Sequence, residues 1–197
     1  MAYIVWRKLW RISGLIFPVI YIIYGSKKIT FLFSFYVLCF FLLIELLRFL
    51  NSHFNSWLFK RFKLILKEEE LNRLLNTTFF LIFLNLAVFF FRKEVVIYSV
   101  FFVILGDISS SIMGRYFGRI RIRNKTLEGA VAFFLTCLFF GYLLNAITPI
   151  KLPMVVVFWS ALTASSVELF SIIDDNLSVG LASCIVMEII LRMFFSR

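Results

Sequence analysis

The sequence predicts an all-α integral membrane protein, a polytopic bundle of about seven transmembrane helices. Of its 197 residues, 62% are hydrophobic and 19% aromatic, far above the apolar content of a soluble domain. A spanning helix needs ~20 mostly apolar residues. The first candidate span is short, which leaves six spans as the fallback count. The candidate spans are residues 12–25, 29–50, 74–91, 95–114, 129–148, 153–172 and 178–195.

The spans and their connections predict a single transmembrane domain over residues 1–197. Residues 51–73 form a polar insertion with mixed charge, which predicts an amphipathic or surface helix connecting spans two and three on the cytoplasmic side. The N-terminal stretch lacks a small-residue cleavage site, so we expect a retained helix rather than a signal peptide. The cysteines lie within apolar spans at spacings that match no metal site or disulfide framework.

The distribution of basic residues predicts the orientation. With a cytoplasmic N-terminus, 13 Lys and Arg residues fall in cytoplasmic segments and 6 on the other side, leaving aside Arg48 and Arg192 within spans. The positive-inside rule therefore predicts N-in, C-out. Loop parity then places residues 115–128 and 174–176 on one cytoplasmic face. Topology and anionic headgroups explain much of the net charge of +10, so we expect membrane lipids as partners and no nucleic acid.

Residues 105–129 carry the first functional signal. They begin inside an apolar run that contains Asp107, and a carboxylate within a membrane helix marks a functional site by default. In a helical 105–118 segment, one small polar face is flanked by Ser110 and Arg115. That face comprises Asp107, Ser111, Gly114 and Gly118. The alternative is tight helix packing, with the aspartate hydrogen-bonded to a serine.

The basic cytoplasmic loop, residues 115–128, carries the second signal. Its charges indicate either topogenic residues near lipid headgroups or a cationic clamp on phosphates. Thr126 is expected to cap the fifth span, with Glu128 in the first turn. The five cations are Arg115, Arg119, Arg121, Arg123 and Lys125.

A second acidic cluster, Asp174, Asp175 and Asn176, follows span six. It indicates either a solvated turn or oxygen ligands for a divalent cation such as Mg²⁺, which carboxylates and substrate phosphates hold together. Glu168 lies less than two helical turns earlier. Converging on one leaflet, these parts suit a nucleoside triphosphate with Mg²⁺ and a lipid acceptor that enters between helices. The pattern of a P-loop is absent.

Two further acids inside spans are expected to be structural, because charges within lipid must be paired. Glu45 and Arg48 are spaced i, i+3 on span two. Glu188 and Arg192 are spaced i, i+4 on span seven.

The stretch GDISSSIMGRYFGRIRIRNKTLEG, followed by VELFSIIDDN, resembles the CTP-dependent lipid kinase family. That family includes dolichol kinase, phytol kinase and the CTP-type diacylglycerol kinase, and it is distantly related to phosphatidate cytidylyltransferase. The resemblance is strong over residues 100–185. It implies transfer of the terminal phosphoryl group of CTP to a lipid alcohol (a polyprenol or dolichol, a phytol-like isoprenol or diacylglycerol), with Mg²⁺ or another divalent cation as cofactor.

Carried over residue by residue, the resemblance implies a nucleotide and metal site in two halves. The first half comprises Gly106, Asp107, Gly114, Arg115, Gly118, Lys125, Thr126, Glu128 and Gly129, and the second Glu168, Asp174, Asp175 and Asn176. The small polar face and the basic loop add Ser110, Ser111 and Arg119 as nucleotide-binding candidates. The expected catalytic acids are Asp107, Glu168, Asp174 and Asp175, and the expected metal ligands are Asp107, Asp174 and Asp175.

Two departures from related patterns bear on this hypothesis. The family's early Arg-Lys motif is usually followed by a histidine, and here Arg11 occupies that place. The later basic and Asp-Arg signature of the cytidylyltransferases is absent after Asn176, which favours a kinase. A phosphatidate cytidylyltransferase and an ion-coupled transporter or membrane assembly subunit remain as alternatives. A plasma or ER-type membrane with a cytoplasmic active site is expected, and the alcohol, the acid that acts as base and the oligomeric state stay open.

Overall fold

The computed structural model describes residues 2–171 and 174–195, and it is almost entirely helical. The helices are α1 (Ala2–Ser13), α2 (Ile16–Tyr24), α3 (Lys27–Leu50), α4 (Ser52–Arg61), α5 (Asn76–Phe90), α6 (Lys93–Phe101), α7 (Asp107–Phe117), α8 (Leu127–Ile147), α9 (Met154–Phe170) and α10 (Asp175–Phe195). A 3₁₀ turn, Glu68–Glu70, follows α4, and a π-helical segment, Phe102–Gly106, joins α6 to α7.

One element departs from an all-α fold. Within the predicted basic loop, β1 (Arg121–Ile122) and β2 (Lys125–Thr126) form a short antiparallel hairpin. Arg121 pairs with Thr126, and Ile122 pairs with Lys125. Arg123, in the turn, has a φ of 54°, the left-handed region that few residues other than glycine adopt. The basic loop is therefore a defined structure rather than an irregular connection.

Four helices in the described part of the chain are long and apolar enough to cross a membrane. They are Lys27–Leu50, Lys93–Phe117 (α6, the π segment and α7 together), Leu127–Ile147 and Asp175–Phe194. Two shorter apolar helices, α5 with 15 residues and α9 with 17, rise about 22 and 26 Å at 1.5 Å per residue, slightly less than the ~30 Å hydrocarbon core.

The predicted first span, 12–25, is not one helix. Helix α1 ends at Ser13, and α2 has only nine residues, about 14 Å of rise. Gly14 and Leu15 break the chain between them. The seven-span count and the N-in, C-out orientation therefore remain predictions.

Helix α6 lies at the centre of the bundle. Every side chain from Val95 to Val100 is buried, and α2, α5, α8 and α10 all contact this helix. Helices α3 and α8 lie at the periphery, because only 22% and 28% of their most apolar windows are buried. Their exposed leucines and phenylalanines present an apolar surface of the kind that lipid covers.

A buried ion pair connects α3 to the polar insertion. Arg48 pairs with Glu45 and donates hydrogen bonds to the Glu70 carbonyl (2.7 Å) and the Asn55 side chain (3.1 Å). Glu45 Oε1 accepts a hydrogen bond from the Leu75 backbone N–H (2.7 Å). The pair is thus almost fully hydrogen-bonded, as a buried charge requires, and its predicted structural role is supported. Arg192 Nε likewise lies 2.9 Å from Glu188 Oε1, as its spacing predicts.

Candidate functional site

Three carboxylates from three helices meet at one end of the bundle. Asp107 begins α7, Glu168 lies in the last turn of α9, and Asp175 begins α10. One carboxylate oxygen from each lies within 4.8 Å of the other two. The π-helical segment ends immediately before Asp107, and such irregularities occur frequently at functional sites. Two polar segments far apart in sequence therefore form one site, as loop parity predicts.

Two cationic side chains contact this acid cluster. Lys125 Nζ lies 2.6 Å from Glu168 Oε1 and 2.6 Å from Asp175 Oδ2. Arg11 pairs with Asp107 and donates a second hydrogen bond to the Asn176 side chain. Burial alone would lower the pKa of Lys125, but the two carboxylates outweigh it and raise that pKa above its ordinary value. Lys125 is therefore an ammonium at neutral pH.

The hairpin and the start of α8 position Lys125. The Thr126 hydroxyl accepts a hydrogen bond from the Gly129 N–H (3.1 Å), which caps α8 and confirms the predicted cap. The Glu128 carboxylate accepts one from the Ile120 N–H (3.1 Å). Glu128 thus stabilises the hairpin, and β2 places Lys125 in contact with Glu168 and Asp175.

The predicted small face packs α7 against the start of α8. A Cβ on Gly114 would lie 2.7 Å from Thr126 Oγ1, and a Cβ on Gly129 would lie 2.9 Å from the Ser110 carbonyl oxygen. A Cβ on Gly118 would lie 2.6 Å from Thr126 Cγ2. The tight-packing interpretation is therefore correct for these glycines. Ser110 hydrogen-bonds an acid, but it is Glu168 (3.0 Å) rather than Asp107.

The acid cluster lies in the wall of a cavity of about 610 Å³, which we call the polar cavity and which falls within the ~300–1,000 Å³ typical of ligand pockets. Among its described lining residues, eight are cationic and three are acidic. This excess of positive charge favours a polyanionic ligand. The cations are Arg7, Lys8, Arg11, Lys67, Arg115, Arg121, Arg123 and Lys125.

Ten of the sequence-predicted site residues line the polar cavity. They are Asp107, Ser110, Ser111, Gly114, Arg115, Lys125, Thr126, Gly129, Glu168 and Asp175. Six others are not among its described lining: Gly106, Gly118, Arg119, Glu128, Asp174 and Asn176. Gly106 packs on Phe133, whose ring would lie 2.6 Å from a Cβ. Asn176 contacts Arg11 from the side of a second cavity.

Asp174 has a different position from its neighbour. Its carboxylate accepts hydrogen bonds from the N–H groups of Asn176 (2.9 Å) and Leu177 (3.4 Å), so it caps α10. Burial raises the pKa of Asp174, although these hydrogen bonds oppose the shift. The structure groups Glu168, and not Asp174, with Asp107 and Asp175.

Six cations that line the polar cavity were not among the predicted site residues. They are Arg7, Lys8, Arg11 and Lys67, together with Arg121 and Arg123 of the basic loop. Lys8 Nζ donates a hydrogen bond to the Ile108 carbonyl (3.1 Å), and burial lowers the pKa of both Lys8 and Lys67. Arg7 and Lys8 precede Arg11 by four and three residues, which places both next to Arg11 on a helix, and this spacing is a signal that could have found them. Lys67 lies in the polar insertion, and nothing in the local sequence distinguishes it from the other basic residues there.

The acid cluster fits a divalent cation. Carboxylate oxygens are the ligands that Mg²⁺ and Ca²⁺ prefer. Glu168 is only 2% exposed, and its Oε2 is buried without a hydrogen-bond partner among the described residues. Buried polar atoms are nearly always paired, and within the acid cluster this oxygen is available as a ligand. Asp107, Glu168 and Asp175 could hold the ion.

Comparison with known proteins gives a distant similarity to lipid kinases. The chain is 27% identical over 185 residues to an uncharacterized protein of Rickettsia prowazekii, covering 91% of this chain and 90% of that protein. It is 23% identical to CTP-dependent diacylglycerol kinase 1 of Saccharomyces cerevisiae and 27% identical to that of Eremothecium gossypii. These matches cover 77% and 76% of this chain but only 61% and 55% of the two kinases. No family model and no solved structure matches.

Proposed function

We propose that this chain transfers the terminal phosphoryl group of CTP to a lipid alcohol. The observation that carries the proposal is the cluster of three carboxylates within a cation-lined cavity. The distant similarity to two CTP-dependent diacylglycerol kinases supports the nucleotide and the reaction class. Helices able to cross a membrane suit an acceptor that stays in the bilayer.

The cations of the polar cavity are suited to the triphosphate. Phosphoryl transfer depends mainly on positioning and on neutralising the phosphate charge. Arg115, Arg121 and Arg123 are exposed at the cavity, and each guanidinium offers a bidentate fork to phosphate oxygens. Lys125 lies deeper and contacts two of the acids, so its ammonium connects the carboxylates with the phosphate-binding region.

Asp107, Glu168 and Asp175 would hold Mg²⁺, which when bound would neutralise charge on the phosphates. Ser110 orients Glu168 by donating a hydrogen bond to its Oε1. Asp174 acts indirectly, because its cap fixes the start of α10 and hence the position of Asp175. This assignment replaces Asp174 with Glu168 in the ligand set that the sequence suggests.

At the terminal phosphorus of CTP, the reaction forms one bond and breaks one bond. The acceptor hydroxyl oxygen bonds to the terminal phosphorus of CTP, the bond from that phosphorus to its bridging oxygen breaks, and CDP leaves. The hydroxyl proton passes to one of the three clustered carboxylates, which lie where a general base is required. With the predicted N-in orientation, the polar cavity faces the cytoplasm.

The experiment is transfer from CTP labelled on the terminal phosphate, with purified protein in nanodiscs and a panel of lipid alcohols. We expect Mg²⁺-dependent labelling of a lipid, release of CDP, and loss of labelling when EDTA is added. Release of pyrophosphate with phosphatidate as substrate would instead identify a cytidylyltransferase. If CTP with Mg²⁺ fails to raise the thermal midpoint, the proposal is wrong, because a ligand of the native state must stabilise it.

A further inference from the structure

A second cavity adjoins the polar one, and its lining is mostly apolar. It has a volume of about 340 Å³, at the lower end of the ~300–1,000 Å³ typical of ligand pockets. We call it the apolar cavity. Its apolar walls come from α2, α3, α5 and the π segment, and they include Phe17, Phe33, Val37, Phe41, Phe80 and Ile104.

A chain of polar contacts marks the boundary between the two cavities. Arg7 and Arg11 line both. Arg11 contacts Asp107 of the acid cluster and also Asn176, which lines the apolar cavity. Asn176 Nδ2 in turn donates to the Asn76 carbonyl (3.1 Å). A molecule with one polar end and one apolar chain could therefore place its polar end beside Asp107.

The wall of the apolar cavity is tightly packed at the break between α1 and α2. Gly14 lines the apolar cavity, and a Cβ there would lie 3.1 Å from Ile104 Cδ1 and 3.3 Å from the Phe80 ring. A larger side chain at this position would crowd the wall. A triphosphate is less suited to the apolar cavity, because only two of the eight cations of the polar cavity, Arg7 and Arg11, also line it.

We infer that the apolar cavity holds the hydrocarbon chain of the acceptor lipid alcohol, with the hydroxyl at the Arg11 boundary. This inference rests on the proposed function for the reaction, and on the geometry of the two adjoining cavities for the location. The occupant gains hydrophobic burial along the aromatic walls. Its hydroxyl meets Asp107 on one side of the boundary and the terminal phosphate of CTP within the polar cavity.

The inference can be tested with a substitution that fills the apolar cavity. Val37 is half-buried on α3 and lines it, so Val37→Trp should occlude the space. We expect the KM for the acceptor to rise by about 30-fold, equivalent to losing burial of two to three methylene groups at ~0.8 kcal/mol each, while the KM for CTP stays within about twofold. Val155→Trp is the matched control, because Val155 is 58% exposed on α9 and lines neither cavity.

A binding measurement separates this inference from the proposed function. Phytol and dioctanoylglycerol are added separately, without nucleotide. We expect at least one of these alcohols to raise the thermal midpoint of the wild type and of Val155→Trp. The same alcohol should leave the thermal midpoint of Val37→Trp unchanged. CTP with Mg²⁺ should stabilise all three, which shows that the variants are folded. Should Val37→Trp fail to fold, Val37→Phe takes its place.

Unchanged acceptor KM and unchanged alcohol-dependent stabilisation in the Val37 variant would overturn the inference, even with kinase activity intact. Selective loss of alcohol binding in that variant, without phosphorylation of any alcohol by the wild type, would support the cavity assignment and refute the proposed function.

Discussion

Replacing Glu168 with glutamine separates catalysis from stability. Glu168 Oε1 accepts hydrogen bonds from Ser110 (3.0 Å) and Lys125 (2.6 Å), and a glutamine oxygen could accept both. The substitution therefore removes a charge from the acid cluster and leaves the shape of the site nearly unchanged.

The expected loss of stability is small. A hydrogen bond to a charged group contributes ~1.5–3 kcal/mol and a neutral one ~0.5–1.5 kcal/mol, so the exchange costs about 1–2 kcal/mol. Removing one partner of a fully buried pair costs ~3–5 kcal/mol, but Lys125 retains Asp175 and its side chain is 29% exposed. At ~2–4 °C per kcal/mol for a chain of this size, the thermal midpoint should fall by about 2–8 °C.

The expected loss of activity is much larger. Glu168 belongs to the carboxylate set proposed to hold the metal ion, and losing one group that stabilises transition-state charge typically costs ~10²–10³-fold in rate. We therefore expect kcat/KM to fall by at least about 100-fold. The assay is transfer from terminally labelled CTP at saturating acceptor, alongside thermal unfolding of the same preparation.

Glu188→Gln is the matched control. Glu188 is 7% exposed and, like Glu168, has a buried Oε2 without a hydrogen-bond partner among the described residues. Its Oε1 lies 2.9 Å from Arg192 and 3.3 Å from Arg92, and it is outside the acid cluster. The control should lose comparable stability and keep activity within about threefold. Equal loss of activity in both variants, or retained activity in Glu168→Gln, would refute the reasoning.

Three further substitutions test separate parts of the site. Asp107→Asn should abolish lipid phosphorylation while leaving membrane insertion and the chromatographic profile unchanged. Lys125→Met should weaken CTP binding by at least about tenfold, since a charge-assisted contact is worth ~1.5–3 kcal/mol. The same substitution should strengthen Mg²⁺ binding in the absence of nucleotide, because the ammonium no longer competes for Glu168 and Asp175. Titration calorimetry measures both affinities. Gly118→Ala should lower the free energy of unfolding by ~1–3 kcal/mol through overpacking, because the added Cβ would lie 2.2 Å from the Gly114 carbonyl oxygen and 2.6 Å from Thr126 Cγ2; thermal unfolding measures this loss.

Each of these has a clear contrary result. Wild-type turnover in Asp107→Asn would remove that acid from the mechanism. Unchanged affinities for CTP and Mg²⁺ in Lys125→Met would separate the ammonium from both ligands. An unchanged thermal midpoint in Gly118→Ala would show that the backbone around Gly118 and Thr126 relaxes without cost.

The long apolar helices were predictable from sequence because hydropathy and length determine them directly. The expected spans 29–50 and 129–148 correspond to α3 and α8 within two residues at each end. The predicted first span is divided into two helices, and hydropathy does not report the break after Ser13.

The hairpin was missed although its signal was present. Arginine and isoleucine alternate from Arg119 to Arg123, a period of two that is typical of a strand. Two-residue strands are too short for that pattern to stand out against topogenic charge. The hairpin determines which cations reach the cavity, so Arg121 and Lys125 line it whereas Arg119 does not.

The meeting of the two polar segments followed from loop parity, but the identity of the clustered acids did not. Asp174 and Asp175 are adjacent, and only the position of the helix start decides that one caps α10 while the other joins Asp107. Glu168 was expected among the catalytic acids but not among the metal ligands. Tertiary packing of α9 against α10 and α8 brings it into the cluster, and no local pattern encodes that contact.

The central claim is that three helices assemble one site for a divalent cation and a nucleotide triphosphate. Electron paramagnetic resonance of Mn²⁺ bound to the purified protein with CTP tests it most directly. We predict one tightly bound Mn²⁺ with hyperfine coupling to nucleotide ³¹P, abolished in Glu168→Gln and retained in Glu188→Gln. Tight CTP binding without Mn²⁺ coupling, or identical coupling in both variants, would contradict the account.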